Sequence, residues 1–418
     1  IASSNPVLNA LPGVSVTANI NDPLTGGTGG TDSTGGTGGT DGTGGTGGTD
    51  GTGGTDSITP RLIQNPNDFF TIQGPSGQEV VLEFDLSSID TNFINEVGVY
   101  VVDDAQGTIN GIAPGSPGYL EAALKNAQPI FSVLPDTSSL LKDANLMRNL
   151  SFEAGTNVGV YLVQDSTASE ALANIMAGVK PPSVFLNSPS SNPNSTDYLE
   201  VSDLGDGLFT LGWRDQSGNQ IFNNNVLSAQ ATTQTSLPVG TPLQPSTQLE
   251  LIDVRDQANQ VIDLNFSVNS EAAYNNTIGF YVVQDAQGTI IDDLTGATLN
   301  PGDMNYAEVA LRQTAFVSEL GSSRQVSGSQ QLNGGTIYAP YIIANGTLNE
   351  FLGSNPLNQN TQQAPLAYFA FQGANPDKLD HIRLLGNNTF GVEDLFGGGD
   401  RDYNDIVYRA DVSVSMVV

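Results

Sequence analysis

Apolar and polar residues alternate in short runs along most of this chain. Val14, Val16, Ala18 and Ile20 alternate with polar neighbours within residues 11–20, which predicts a half-buried strand. Leu82, Phe84 and Leu86 do the same, as do Ile262, Leu264 and Phe266. Residues 97–102 and 278–283 are instead continuous β-branched and aromatic runs, and each leads into an Asp-Ala-Gln-Gly turn. Residues 119–126 and 306–312 read as short helices, one after Pro117-Gly118 and the other after Pro301-Gly302-Asp303. Many short strands, turns rich in Gly, Asn and Pro, and little helix predict an all-β protein of β-sandwich or jelly-roll type.

The pattern also repeats. Gly98-Val99-Tyr100-Val101-Val102 matches Gly279-Phe280-Tyr281-Val282-Val283, 181 positions later. Tyr161 matches Tyr341 at 180, and Asp215 matches Asp394 at 179. Displacements this constant imply a tandem duplication, with domains at 58–238 and 239–418. Ahead of them, residues 24–57 form a Gly/Thr/Asp/Ser tract that repeats every nine residues. It lacks the inward apolar residue of a calcium β-roll and reads as a flexible linker. The strand in segment 1–23 has no hairpin partner nearby, so it must pair with a sheet edge. The linker allows that edge to belong to another molecule.

Charge narrows the field. The 418 residues carry 13 Lys+Arg against 44 Asp+Glu, a formal net charge of −31. Such acidity argues against nucleic acid or an anionic membrane as partner, because both require a positive footprint. With no cysteine, disulfides, thiol catalysis and thiolate metal sites are excluded. No apolar run of about 20 residues predicts a membrane span. The chain opens Ile1-Ala2-Ser3-Ser4, as a processed, secreted chain does.

The chemistry concentrates near the end. Gly397-Gly398-Gly399 permits a tight turn, and Asp400, Asp402, Asn404 and Asp405 follow within six positions, with Asp394 just upstream. Oxygen ligands this crowded, without Cys or His, point to a hard cation, Ca²⁺ above all. The candidate ligands are Asp394, Asp400, Asp402, Asn404 and Asp405, with Asp394 closing the site from the opposing strand. Asp400, Asp402 and Asn404 copy the first ligand spacing of an EF-hand, and Asp411 falls at its twelfth position. Ile406-Val407-Tyr408 reads as a strand, however, which predicts a loop between strands. The bland alternative is a solvated Gly/Asp turn.

Ile278-Gly279-Phe280-Tyr281, Asn300-Pro301-Gly302-Asp303, Tyr306 to Leu311 and Glu393 to Asp405 resemble the DUF4114 family. Its members are secreted and surface proteins of cyanobacteria and other bacteria, often beside calcium-binding and adhesive modules. The resemblance implies an extracellular β-rich domain with a calcium site and no enzyme activity. It covers the second copy and, more weakly, the first. In the first copy Asn224 stands for Asp405, and the loop after Asp215 is two residues shorter, with no counterpart of Asp400 or Asp402. That copy is expected to have lost the metal.

Catalytic groups are sparse. His381 is the only histidine, no nucleophile elbow accompanies it, and it reads as a strand-surface residue. Trp213, the only tryptophan, aligns with Val392 and reads as core. These features imply a non-enzymatic, secreted structural protein that assembles into a filament or surface layer by donating residues 11–20 to a neighbour. The alternative is a calcium-dependent adhesin or carbohydrate-binding protein that recognises surface glycans.

Overall fold

The structure, a computed structural model, describes residues 58–133, 146–216, 221–232, 250–321, 323, 325–360, 365–386 and 388–415. The expected strand at 11–20 and the Gly/Thr tract lie outside these residues. Both repeats belong to one compact unit, Asp56–Val418. None of the described helices is long and apolar enough to cross a membrane.

The first repeat contributes strands β1 (Arg61–Gln64), β2 (Phe70–Gln73), β3 (Glu79–Ile89), β4 (Asn95–Val102), β5 (Ala127–Val133), β6 (Met147–Glu153), β7 (Asn157–Val163), β8 (Val184–Leu186), β9 (Leu199–Gly205), β10 (Leu208–Trp213) and β11 (Asn225–Thr232). Its helices are α1 (Tyr119–Lys125) and α2 (Ala168–Met176). The second contributes β12 (Ile252–Asp253), β13 (Val261–Ser270), β14 (Thr277–Val283), β15 (Ile290–Ile291), β16 (Thr298–Leu299), β17 (Thr314–Glu319), β18 (Gln325–Asn333), β19 (Ile337–Ala344), β20 (Leu366–Phe369), β21 (Ile382–Gly386), β22 (Thr389–Val392) and β23 (Ile406–Val414), with α3 (Tyr306–Arg312) and α4 (Leu348–Ser354).

The duplication reaches the topology. One sheet of the first repeat runs β6-β3-β11-β10-β9, and its counterpart runs β18-β13-β23-β22-β21. The other runs β2-β7-β4-β5 with β1 added at the edge, against β12-β19-β14-β17. All pairings between these strands are antiparallel. The fold is all-β, as the sequence predicts. Each repeat is a sandwich whose core lies between its two sheets: Leu82, Phe84, Trp213 and Leu227 face Val97, Val99 and Leu162 in the first. Trp213 is a core residue, 1% exposed.

Both faces of β4 and β14 are covered, which explains why these strands read as continuous apolar runs rather than alternating ones. The outer face lies under the helices, where Tyr100 and Tyr161 meet Tyr119, Ala123 and Leu124. The same layer recurs as Tyr281 and Tyr341 beneath Tyr306 and Val309. Tyr119 donates its hydroxyl to the Gly107 carbonyl at 2.6 Å, and Tyr306 does so to Gly288 at 2.6 Å, pinning each helix to its Asp-Ala-Gln-Gly turn. At Gly107 φ is +83° and a Cβ would lie 2.0 Å from the Phe69 ring, so only glycine fits.

Two helices were not anticipated. Thr167 accepts the Glu170 amide at the start of α2, and Thr347 with Glu350 closes a capping box on α4. The Thr-x-x-Glu spacing that signals both is present in the sequence. His381 departs from expectation more sharply. It is fully buried, not at a strand surface, and stacks on Tyr368 with ring centroids 3.7 Å apart. In the first repeat the matching pair is Tyr198 on Phe185, at 3.8 Å. His381 therefore fills an aromatic core position.

Candidate metal centre

The acidic loop connects β22 to β23. Gly397, Gly398 and Gly399 all take positive φ, as do Arg401 and Tyr403, which coils residues 394–405 tightly enough to crowd their carboxylates. The loop is fixed at several points. Asp377 accepts the Gly397 amide at 2.8 Å, Glu393 Oε1 accepts the Tyr403 amide at 2.9 Å, and the Asp405 carbonyl accepts the Glu271 and Ala272 amides. His381 is hydrogen-bonded through Nδ1 to the Glu393 carbonyl and through Nε2 to Asp377, both at 2.9 Å. Both its ring nitrogens are thus engaged in holding the loop. Burial opposes ionisation of Asp377, but the bonds from His381 and Gly397 outweigh it and hold that carboxyl down at about 2.

The structure divides the expected ligands into two groups. Asp400 and Asp402 come together with Glu393, one oxygen from each lying within 4.8 Å of the others. A cation with bonds of roughly 2.3–2.6 Å holds opposed oxygens up to about 5 Å apart, so these three carboxylates could share one metal ion. Glu393 is 0% exposed, and among the described residues its Oε2 has no hydrogen-bond partner. Burial, and then the nearby Asp405, Asp400 and Asp402, push its carboxyl up to about 8. A buried carboxylate oxygen left unpartnered beside two more carboxylates is a costly arrangement that a bound cation relieves. Gly399 makes it possible, because a Cβ there would lie 2.5 Å from Glu393 Oε2.

Asp394 and Asp405 form the second group. Asn276 donates to Asp394 Oδ2 at 2.7 Å, and the Asp394 amide donates to Asp405 Oδ2 at 3.0 Å. Burial raises both carboxyls, and the neighbouring Asp394 adds to the rise that takes Asp405 up to about 6. Asn404 joins the loop through its main chain, bridging Val392 and donating its amide to Asp402 at 3.1 Å. Asp411 lies on β23 opposite Asn265, paired with Arg409.

The carboxylate that stands with Asp400 and Asp402 is thus Glu393 rather than Asp394. Consecutive side chains on an extended segment point to opposite sides, so only one of the two can face the loop. The sequence held a signal for this choice in the first repeat, where Arg214 occupies the position of Glu393 while Asp215 matches Asp394.

Residues 332–413 match the family described as Domain of unknown function (DUF4114), which includes the whole acidic loop and every strand from β19 to β22. No curated protein matches the chain.

Proposed function

We propose that this is a secreted, non-enzymatic structural protein whose second repeat is stapled by Ca²⁺ at Glu393, Asp400 and Asp402. It assembles into a filament or surface layer by lending residues 11–20 to a neighbouring subunit. The observation that carries the metal reading is Glu393 Oε2, buried and unpartnered against two further carboxylates. Extracellular calcium modules bind at roughly 10⁻⁴–10⁻³ M, which would keep the site filled and its role structural. The engagement of both His381 ring nitrogens supports the non-enzymatic reading.

The assembly reading gains support from β18. This nine-residue edge strand, QVSGSQQLN, pairs only with β13 among the described strands and is mostly exposed. It has no charge and no proline, the usual guards of an edge, so it suits an added strand. Electron microscopy of the native protein, with calcium and after chelation, tests this function. Filaments that a chain lacking residues 1–23 cannot form would support it, and dispersed monomers under both conditions would overturn it.

One observation favours a second reading, a calcium-dependent adhesin. Leu395 and Phe396, on the same loop as the carboxylates, are 42% and 47% exposed. Glycan binding reversed by chelation, in the absence of polymers, would select this reading over the first.

A further inference from the structure

The acidic loop is also part of the joint between the two repeats. Tyr403, three residues after Asp400 and two before Asp405, is 3% exposed and belongs to the hydrophobic core of the first repeat, together with Leu385 of β21 and Val407 of β23. Leu146, just before β6, packs beside Gly386 from the other side, and β21 packs on β5. Tyr403 does three things in this position. Its amide is held by Glu393 Oε1 at 2.9 Å, its hydroxyl donates to the Asp380 carbonyl at 3.1 Å, and its ring lies 4.2 Å beneath the Arg383 guanidinium. Arg383, 5% exposed, pairs with Asp380 at 3.3 Å. It shares with Glu96, Thr167 and Ser169 of the first repeat a polar cavity of about 30 Å³, room for a water or two. Glu96 in turn accepts the Ala168 amide at the head of α2 and the Tyr161 hydroxyl.

A chain of contacts therefore runs from Glu393 through Tyr403 to Arg383, which shares a cavity with Glu96, the acceptor for the head of α2. Its weakest link is the Tyr403 backbone, held at φ +54°, which a side chain with a Cβ adopts at a cost. Glu393 supplies the bond that keeps Tyr403 there, and the orientation of Glu393 is what a cation at Glu393, Asp400 and Asp402 would fix.

We infer that cation binding at this loop sets the docking of the two repeats, with Tyr403 and Arg383 as the coupling residues. The inference rests on the metal reading above and adds a regulated joint to it. Coupling of this kind is reciprocal: whatever factor the cation adds to closure of the joint, closure adds to cation affinity.

The test uses the full chain, with Tb³⁺ luminescence to report binding and hydrogen–deuterium exchange to report the joint. Adding Ca²⁺ is expected to slow exchange about tenfold in β5 and at Ala168, which lie in the repeat without the acidic loop. Glu393→Gln should abolish both Tb³⁺ binding and that protection. Arg383→Lys keeps the charge but loses the planar stacking on Tyr403. It should remove the protection and weaken Ca²⁺ binding about tenfold. Leu385→Ser, which installs the residue found at the matching Ser202, loosens the joint without touching either the loop or a charge. It should do the same and stands in if the arginine variant fails to fold. Tb³⁺ bound with protection confined to residues 393–405 would overturn the coupling and leave the metal reading intact. Failure to bind Tb³⁺ or Ca²⁺ at all would overturn both.

Discussion

The two repeats solve the same corner of the fold in two ways. In the first, Asn95 donates to Asp215 at 2.9 Å, Thr91 donates to the same carboxylate, and the Asp215 amide donates to Asn224 Oδ1 at 3.1 Å. In the second, Asn276 donates to Asp394, whose amide donates to Asp405. The polar frame is thus duplicated, and it stands without an acidic loop in the first repeat. The difference lies one residue away. Arg214 lies 4.9 Å over Phe222 and donates to the Asp197 carbonyl, so a side-chain cation and an aromatic ring occupy the position. Glu393 reverses that charge, faces Asp400 and Asp402, and leaves an oxygen unpartnered. The comparison separates the frame residues Asp394 and Asp405 from the clustered carboxylates Glu393, Asp400 and Asp402, a separation that neither repeat alone would allow.

The sharpest way to break this assignment is to change each group in turn. Asp400→Asn with Asp402→Asn should lower Ca²⁺ affinity about 1,000-fold, equal to about 4 kcal/mol, in a calorimetric titration. Asp405→Asn, which reproduces Asn224, should cost less than about tenfold, or about 1.4 kcal/mol, and leave the fold intact. Equal losses from the two variants would merge the groups again.

Metal removal should come next in size. For a dissociation constant of about 10⁻⁴ M, 10 mM Ca²⁺ stabilises the second repeat by about 2.7 kcal/mol. Scanning calorimetry with and without chelator should show its transition fall by several degrees, and an unmoved transition would count against a structural cation.

A buried acid also distinguishes the repeats, since Glu96 on β4 stands where β14 has Thr277. Burial raises Glu96 from 4.5 to about 7, with Tyr161, the Ala168 amide and Arg383 opposing the rise and Asp380 adding to it. The folded state then holds this proton more tightly than the unfolded chain. Stability from this group is therefore full below about pH 4.5, falls as pH rises through about 7, and is flat above. Between pH 5 and 7 the loss should be about 2 kcal/mol. Glu96→Gln keeps an acceptor for Ala168 and should flatten the profile in denaturant titrations. The smallest effect is expected from Arg214→Glu, which mimics Glu393 without the longer loop. It should create no Tb³⁺ site and cost about 1 kcal/mol through the lost cation–π contacts.

Much of this molecule was legible in the chain itself. Tandem offsets near 180 announced two copies, and the sheets repeat the same strand order apart from the added β1 and the β15-β16 pair. Alternating runs such as Leu82, Phe84 and Leu86 were correct because one face of β3 meets the core. The Gly-rich acidic loop stood out because carboxylates this close in sequence cannot be far apart in space. His381 was misread because its polarity suggests a surface, whereas its two nitrogens are satisfied by Asp377 and the Glu393 carbonyl and its ring is free to stack. Helices α2 and α4 lack the Pro-Gly lead-in that marks α1 and α3, so only their Thr-x-x-Glu caps signal them.

The elements and the charge follow from the chain alone: two sandwiches' worth of strands, and a loop with oxygen ligands in excess. Local sterics and hydrophobic periodicity act over a few residues, so they can be read along the chain. Packing sets which carboxylate faces the loop, that Tyr403 reaches into the other repeat, and that Arg383 and Glu96 line one cavity. Those outcomes depend on strand facing and on contacts between residues hundreds of positions apart, which packing settles and local pattern cannot.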